Sequence, residues 1–286
     1  MQDAVRAAIA SAVRDRVIGA GGPARQHELF TATGPRWFES DRPIRRVHAD
    51  VAMFVGGLRA LLLQSLHPLA MAGVAQHSDY RHDPWSRLQR TADFLGATTF
   101  GTAAHAKAAC ATVRKVHEHV VGTASDGRPY AANDPHLLGW VHVAELDSFL
   151  VAHDRYGDER LTADERDGYV ADMAVIAREL GVIDPPVNVA ELRATLARYR
   201  PELGGTREAR DAARFLLAPP LPFAARPPYV VLSAAAVGLL PLWARIPLRL
   251  PFLPVTETLA IRPAGTVLMG ALRWALTPTS AVRAAR

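Results

Sequence analysis

Six histidines fall in one apolar, helix-forming stretch between Leu58 and Gly122: His67, His77, His82, His105, His117 and His119. The same stretch holds Arg87, Arg90 and Thr91. Spacings of three and four residues put these three on one face of a helix. A cationic, histidine-bearing face inside an apolar segment needs an anionic or metallic partner, or a packed structural reason to exist. His117 stands out. It follows a helix rich in small residues (Ala103, Ala104, Ala106, Ala108, Ala109, Ala111), against which a bulky flat ligand can lie. Arg114 precedes it by one turn on the same face. One neutral imidazole for iron, basic groups for propionates and an apolar slot between helices is the set that haem requires. The spacing leaves the alternative open, a histidine hydrogen-bonded within the core. His119 lies about 200° round the helix from His117, so the two cannot face one iron. His67 precedes Pro68 at an expected kink, where it either bonds a freed carbonyl or approaches a cofactor. His142 reads as structural.

Common enzyme signatures are missing: no GxGxxG, phosphate-binding loop, HExxH, GxSxG or CxxC occurs. The single cysteine, Cys110, sits in an alanine-rich helical pattern, cannot form an internal disulfide and reads as a small buried hydrophobe. The net charge of +5 comes almost wholly from scattered arginine, since lysine occurs only at 107 and 115. No basic arm or zinc-finger spacing accompanies it, which argues against nucleic acid as a partner. No signal-peptide pattern opens the chain, so cytoplasmic residence is expected.

The elements that must position these residues are all helical. With 286 residues and 49% hydrophobic content the chain can bury a sizeable core. Helical spacing predicts a first helix to Ile18, then one apolar nearly all round from Arg46 to Leu66, with Gly56-Gly57 letting another helix or a flat ligand come close. Pro68 starts the next helix, and Asp83-Pro84 is an N-cap signature for a helix to Phe100. Thr102 then caps a helix from Ala103 to Val121, with Gly122 as its stop. Helices follow over 136–156, from the Thr162/Glu165 capping pattern to Leu180, over 188–199 and over 207–217. No strand of useful length is expected. A proline cluster over 219–228 separates an apolar stretch, 229–244, that is short of the ~20 residues of a membrane span. The sequence thus predicts an all-α, single-domain core over 1–218. A Pro-rich linker and apolar C-terminal helices over 219–286 would pack on that core or lie on a membrane surface through 229–276.

The blocks LLLQSLHPLAMAGVAQHSDYRHDPWSRLQRT, FG, VRKVHEHVVG and YAANDPHLLGWVH occur in the order found in the MpaB/rubber-oxygenase (latex-clearing protein) catalytic-domain family, and residues 46–199 resemble it. The resemblance implies a globin-like helical fold binding b-type haem. His117, in VRKVH, matches the family's proximal ligand, and Arg87, Arg90 and Thr91 match its distal arginine, lysine and threonine. Arg90 thus stands where the rubber oxygenases carry a lysine that can occupy the sixth iron site. Arginine stays protonated and ligates metals poorly, so an open or water-filled distal side is expected. The resemblance implies an oxygenase using O2 on a small apolar, isoprenoid- or alkene-like substrate. The alternatives are a non-catalytic haem- or lipid-binding protein and a membrane-associated interaction protein.

Overall fold

The computed structural model describes residues 2–17, 19 and 22–277. Its elements are α1 (Gln2–Val17), α2 (Gly22–Thr31), α3 (Pro43–Ala49), α4 (Ala52–Gln64), α5 (Pro68–His77), α6 (Pro84–Phe100) and α7 (Ala103–His117), then a two-stranded hairpin of β1 (Val121–Thr123) and β2 (Pro129–Ala131). After it come α8 (Pro135–Tyr156), α9 (Ala163–Leu180), α10 (Val189–Tyr199), α11 (Arg207–Leu217), α12 (Arg226–Gly238), α13 (Leu242–Leu248), α14 (Pro254–Thr256) and α15 (Arg262–Leu276). The fold is all-α and forms one domain.

The axis of the molecule is α8. Asp134 caps it by accepting from the His136 and Leu137 amides, and Pro135 occupies its first turn. Its sequence is apolar on most faces, and it packs along α4 on one side and α9 and α10 on others. Gly56 sets the closeness of the α4–α8 contact: a Cβ there would lie 2.9 Å from Phe149 Cδ1. Gly57 faces open space, so of the pair only Gly56 serves this approach. Trp140, Leu62, Leu63, Leu66, Tyr169 and Met173 form the centre of the main core.

A second apolar cluster joins Val55 and Tyr156 to Ala235, Ala236 and Met269, so α12 and α15 pack on α4 and α8. Arg59 of α4, almost wholly buried, ties that helix to α8 and to the end of α12. It donates to Ser148 Oγ at 2.6 Å and the Leu239 carbonyl at 3.0 Å, and pairs with Asp147 at 2.8 Å.

Three boundaries differ from expectation. The helix expected over 46–66 is two helices meeting at 91°. Asp50 leaves the helical path, accepts from the Ala52 amide at 2.7 Å to restart the chain as α4, and is held by Arg273 of α15 at 2.8 Å. The helix expected to reach Val121 ends at His117, because Val121–Thr123 pairs with Pro129–Ala131. The apolar stretch 229–244 breaks between α12 and α13, which stand 119° apart around Pro241. Among the described residues no single helix is long and apolar enough to cross a membrane. The expected end of the first helix at Ile18 lies outside the described residues.

Candidate functional site

The helices α6 and α7 form a hairpin with a two-residue connection. Asp83 caps α6, accepting from the Ser86 amide at 3.1 Å. Arg36 donates to the Phe100 carbonyl at its far end and to the Ala32 carbonyl just past α2. Thr102 opens α7 with a capping box: its hydroxyl accepts from the His105 amide at 3.3 Å, and His105 Nδ1 accepts from the Thr102 amide at 3.4 Å. His105 therefore has a structural task. Arg87 lies fourteen residues before Gly101 and His117 fifteen after Thr102. At 1.5 Å per residue both sit about 22 Å from the turn, at the same open end of the hairpin.

At that end His117 is half-buried. Its Nδ1 is shut off from water and has no hydrogen-bond partner, and neither has Asn133 Oδ1. Burial holds His117 below the usual histidine pKa, with the Asn133 side chain opposing the shift. Asn133 is near enough to act on the ring but not in hydrogen-bond geometry; its Nδ2 donates instead to the Arg114 carbonyl at 3.0 Å. His117 Nε2 is not shut off, and among the described residues it takes no hydrogen bond. The result is a neutral imidazole with a free nitrogen.

Arg87 is half-buried too, and donates to Ser78 Oγ at 2.8 Å. Burial, and then the neighbouring Arg90 charge, hold its pKa below the ordinary arginine value. Arg90 and Thr91 are exposed, and the Thr91 hydroxyl donates back to the Arg87 carbonyl at 3.0 Å. The triad is therefore one half-buried arginine with two outward residues beside it, not a buried face. Arg114 is committed elsewhere: its guanidinium donates to the backbone carbonyl of Glu179, at the end of α9, and pairs with the same residue's carboxylate at 3.3 Å. His119 is exposed and bonds the Lys115 carbonyl.

A second polar group lies deeper. His48 on α3 contacts Thr99 Oγ1 of α6 at 2.7 Å and Tyr169 Oη of α9 at 3.2 Å, and meets Phe149 edge-on. Burial pushes His48 down to about 3. Burial also pushes the Glu145 carboxyl of α8 up to about 7 and His142, one turn earlier, down to about 4. His48 and Glu145 are thus ionisable groups whose charged forms burial disfavours, each with part of its side chain still accessible.

The third group gathers His67 with two residues from elsewhere in the chain. His67 caps α5 at the α4–α5 junction in extended backbone, ahead of Pro68. It does not bond a freed carbonyl: it is 1% exposed and neither ring nitrogen has a hydrogen-bond partner. Its Nε2 lies 3.4 Å from Glu202 Oε2, and His136 Nε2, on the first turn of α8, lies 2.8 Å from the same oxygen. The Glu202 oxygen borders an open cleft of about 540 Å3 lined also by His136, Gly139 and Tyr199. The structure thus brings His117, Arg87 and Arg90 to one end of a hairpin and assigns His67 and Arg114 to other partners.

His48, Glu145, His136 and Glu202 were not anticipated. For His48 and Glu145 a signal existed, an ionisable residue inside a nearly continuous apolar run. For His136 and Glu202 none did, because their association is long-range.

A family model described as ER-bound oxygenase mpaB/B'/Rubber oxygenase, catalytic domain, matches residues 45–274. The match continues into the last turn of α15, well beyond the 46–199 segment that carries the motif blocks. Neither the curated proteins nor the solved structures give a match.

Proposed function

This chain belongs to the mpaB/B'/rubber oxygenase catalytic-domain family, and on that premise we propose that it is a haem b-dependent oxygenase acting with O2 on a small apolar, isoprenoid- or alkene-like substrate. The observation that carries the reading is His117, a desolvated imidazole with one nitrogen free of protein partners on a helix lined by alanines. The donor chemistry, a neutral imidazole with an accessible Nε2, fits an iron centre. Haem, when bound, supplies an iron centre able to activate O2 for oxidation of a carbon–carbon double bond.

The chain's own residues do the rest. His117 would offer a neutral ring nitrogen to hold the iron. A proton held on Nδ1 has a natural acceptor in Asn133 Oδ1, so a small rotation of either side chain fixes the tautomer that leaves Nε2 free to ligate. Arg87 offers a poorly solvated guanidinium for a carboxylate, and a propionate is the carboxylate that haem brings. Arg90 and Thr91, exposed beside Arg87, would offer N–H and O–H donors to bound oxygen, and a guanidinium, a poor metal ligand, would not compete for iron. The globin-like arrangement belongs to this same reading. The test is an absorption spectrum. The recombinant chain should show a Soret band that His117→Ala abolishes while circular dichroism stays unchanged; full haem content in that variant would reject the assignment.

Peripheral membrane contact through 229–276 is also proposed, on a separate observation. Leu259 and Val267 are 74% and 73% exposed, and Val230, Ile246, Phe252 and Val255 also face outward. An apolar surface beside Arg249 and Arg262 suits an anionic lipid interface. Flotation with anionic vesicles should carry the intact chain, and Val255→Ser/Leu259→Ser/Val267→Ser should remain in the dense fraction.

A further inference from the structure

We propose that His67, His136 and Glu202 form a binding site for one divalent first-row transition ion, zinc or ferrous iron, separate from the His117 site. The three residues come from the α4–α5 junction, the first turn of α8 and the helical turn Arg200–Glu202. One ligand atom from each lies within 4.8 Å of the other two. Two donors each about 2.1 Å from a metal lie about 3.0 Å apart at a right angle and about 3.4 Å apart at the tetrahedral angle. The separations from Glu202 Oε2 to His136 Nε2 and His67 Nε2 are 2.8 and 3.4 Å.

The second observation is His67 itself. It is 1% exposed, and neither of its nitrogens has a hydrogen-bond partner although Nε2 lies 3.4 Å from Glu202 Oε2. A buried imidazole left without partners costs stability, and such groups are rare in folded proteins. A cation among the three donors would satisfy that nitrogen and rest on the negative charge of Glu202.

Two histidines and one carboxylate suit zinc or non-haem ferrous iron, and three protein ligands leave coordination positions for water or a small molecule. His136 is 56% and Glu202 40% exposed in their side chains, so the open positions face the 540 Å3 cleft.

The experiment uses tag-free, chelator-stripped full-length protein titrated with ZnCl2 by calorimetry and with CoCl2 by visible absorption. One ion per chain is expected. His136→Ala and Glu202→Gln, at exposed positions where folding is not at stake, should each weaken binding more than the roughly 10–100-fold typical of outer-shell losses. His117→Ala should bind as the wild type does, and haem content should be the same with and without the added ion. Metal analysis of protein grown with zinc or with iron then decides between the two ions. Uptake well below one equivalent, or uptake unchanged in both His136→Ala and Glu202→Gln, would overturn the proposal. Because the readout is the added ion and not the Soret band, this result and the haem result can fail independently.

Discussion

Glu145 should cost this protein stability as the pH rises from about 4.5 to about 7. Its carboxyl belongs to the apolar run of α8, and burial displaces its pKa from the ordinary 4.5 to about 7. The folded state therefore favours the protonated acid, whereas the unfolded chain ionises it near 4.5. Below 4.5 both states carry the proton and nothing is lost. Between 4.5 and 7 the unfolded state gains from ionisation and the folded state does not, so stability falls. Above 7 both are ionised and the loss levels off. At about 1.4 kcal/mol per tenfold change, the full loss is about 3 kcal/mol, an upper bound because part of the side chain remains accessible. Glu145→Gln keeps the shape and removes the charge. Denaturant unfolding from pH 4 to 9 should show the two proteins diverging from pH 4.5, the glutamine variant gaining up to about 3 kcal/mol by pH 8. Parallel curves across that range would refute the claim that burial in the fold holds the Glu145 carboxyl protonated.

Two further outcomes follow from buried groups. Arg245, 3% exposed in its side chain, pairs with buried Glu257 and also donates to the Leu240 and Gly238 carbonyls. Arg245→Met leaves an uncompensated carboxylate and should destabilise the whole domain by about 3–5 kcal/mol in one cooperative transition; a separate early transition of the C-terminal helices would contradict a single domain. Cys110 is fully buried, its thiol pushed up to about 11, so native protein at pH 8 should resist iodoacetamide and react only on unfolding.

What was legible in the sequence was whatever is decided locally. Asp83-Pro84, Thr102, Thr162 with Glu165, and Gly181 each act within about four residues, and each marks a helix end in the structure. The bend at Asp50 was not legible, because Arg273, 223 residues away, holds it. The 121–131 hairpin is only three residues deep on each side and gives no alternation to read. That His117 and Arg87 lie at a similar height along α6 and α7 could be read because a hairpin with a two-residue turn makes sequence distance predict height. Arg114 could not be assigned that way: helix phase places it beside His117, but Glu179 on another helix captures its guanidinium. The His67 cluster draws on three distant segments, and no spacing rule brings them together.

The most direct test of the central claim, that His117 is an iron ligand in a haem oxygenase, is the absorption spectrum of the purified chain beside that of His117→Ala. The account predicts a Soret band in the first, none in the second, and equal helicity in both. A wild-type chain supplied with haem that shows no Soret band, or a variant that retains it in full, would contradict the account.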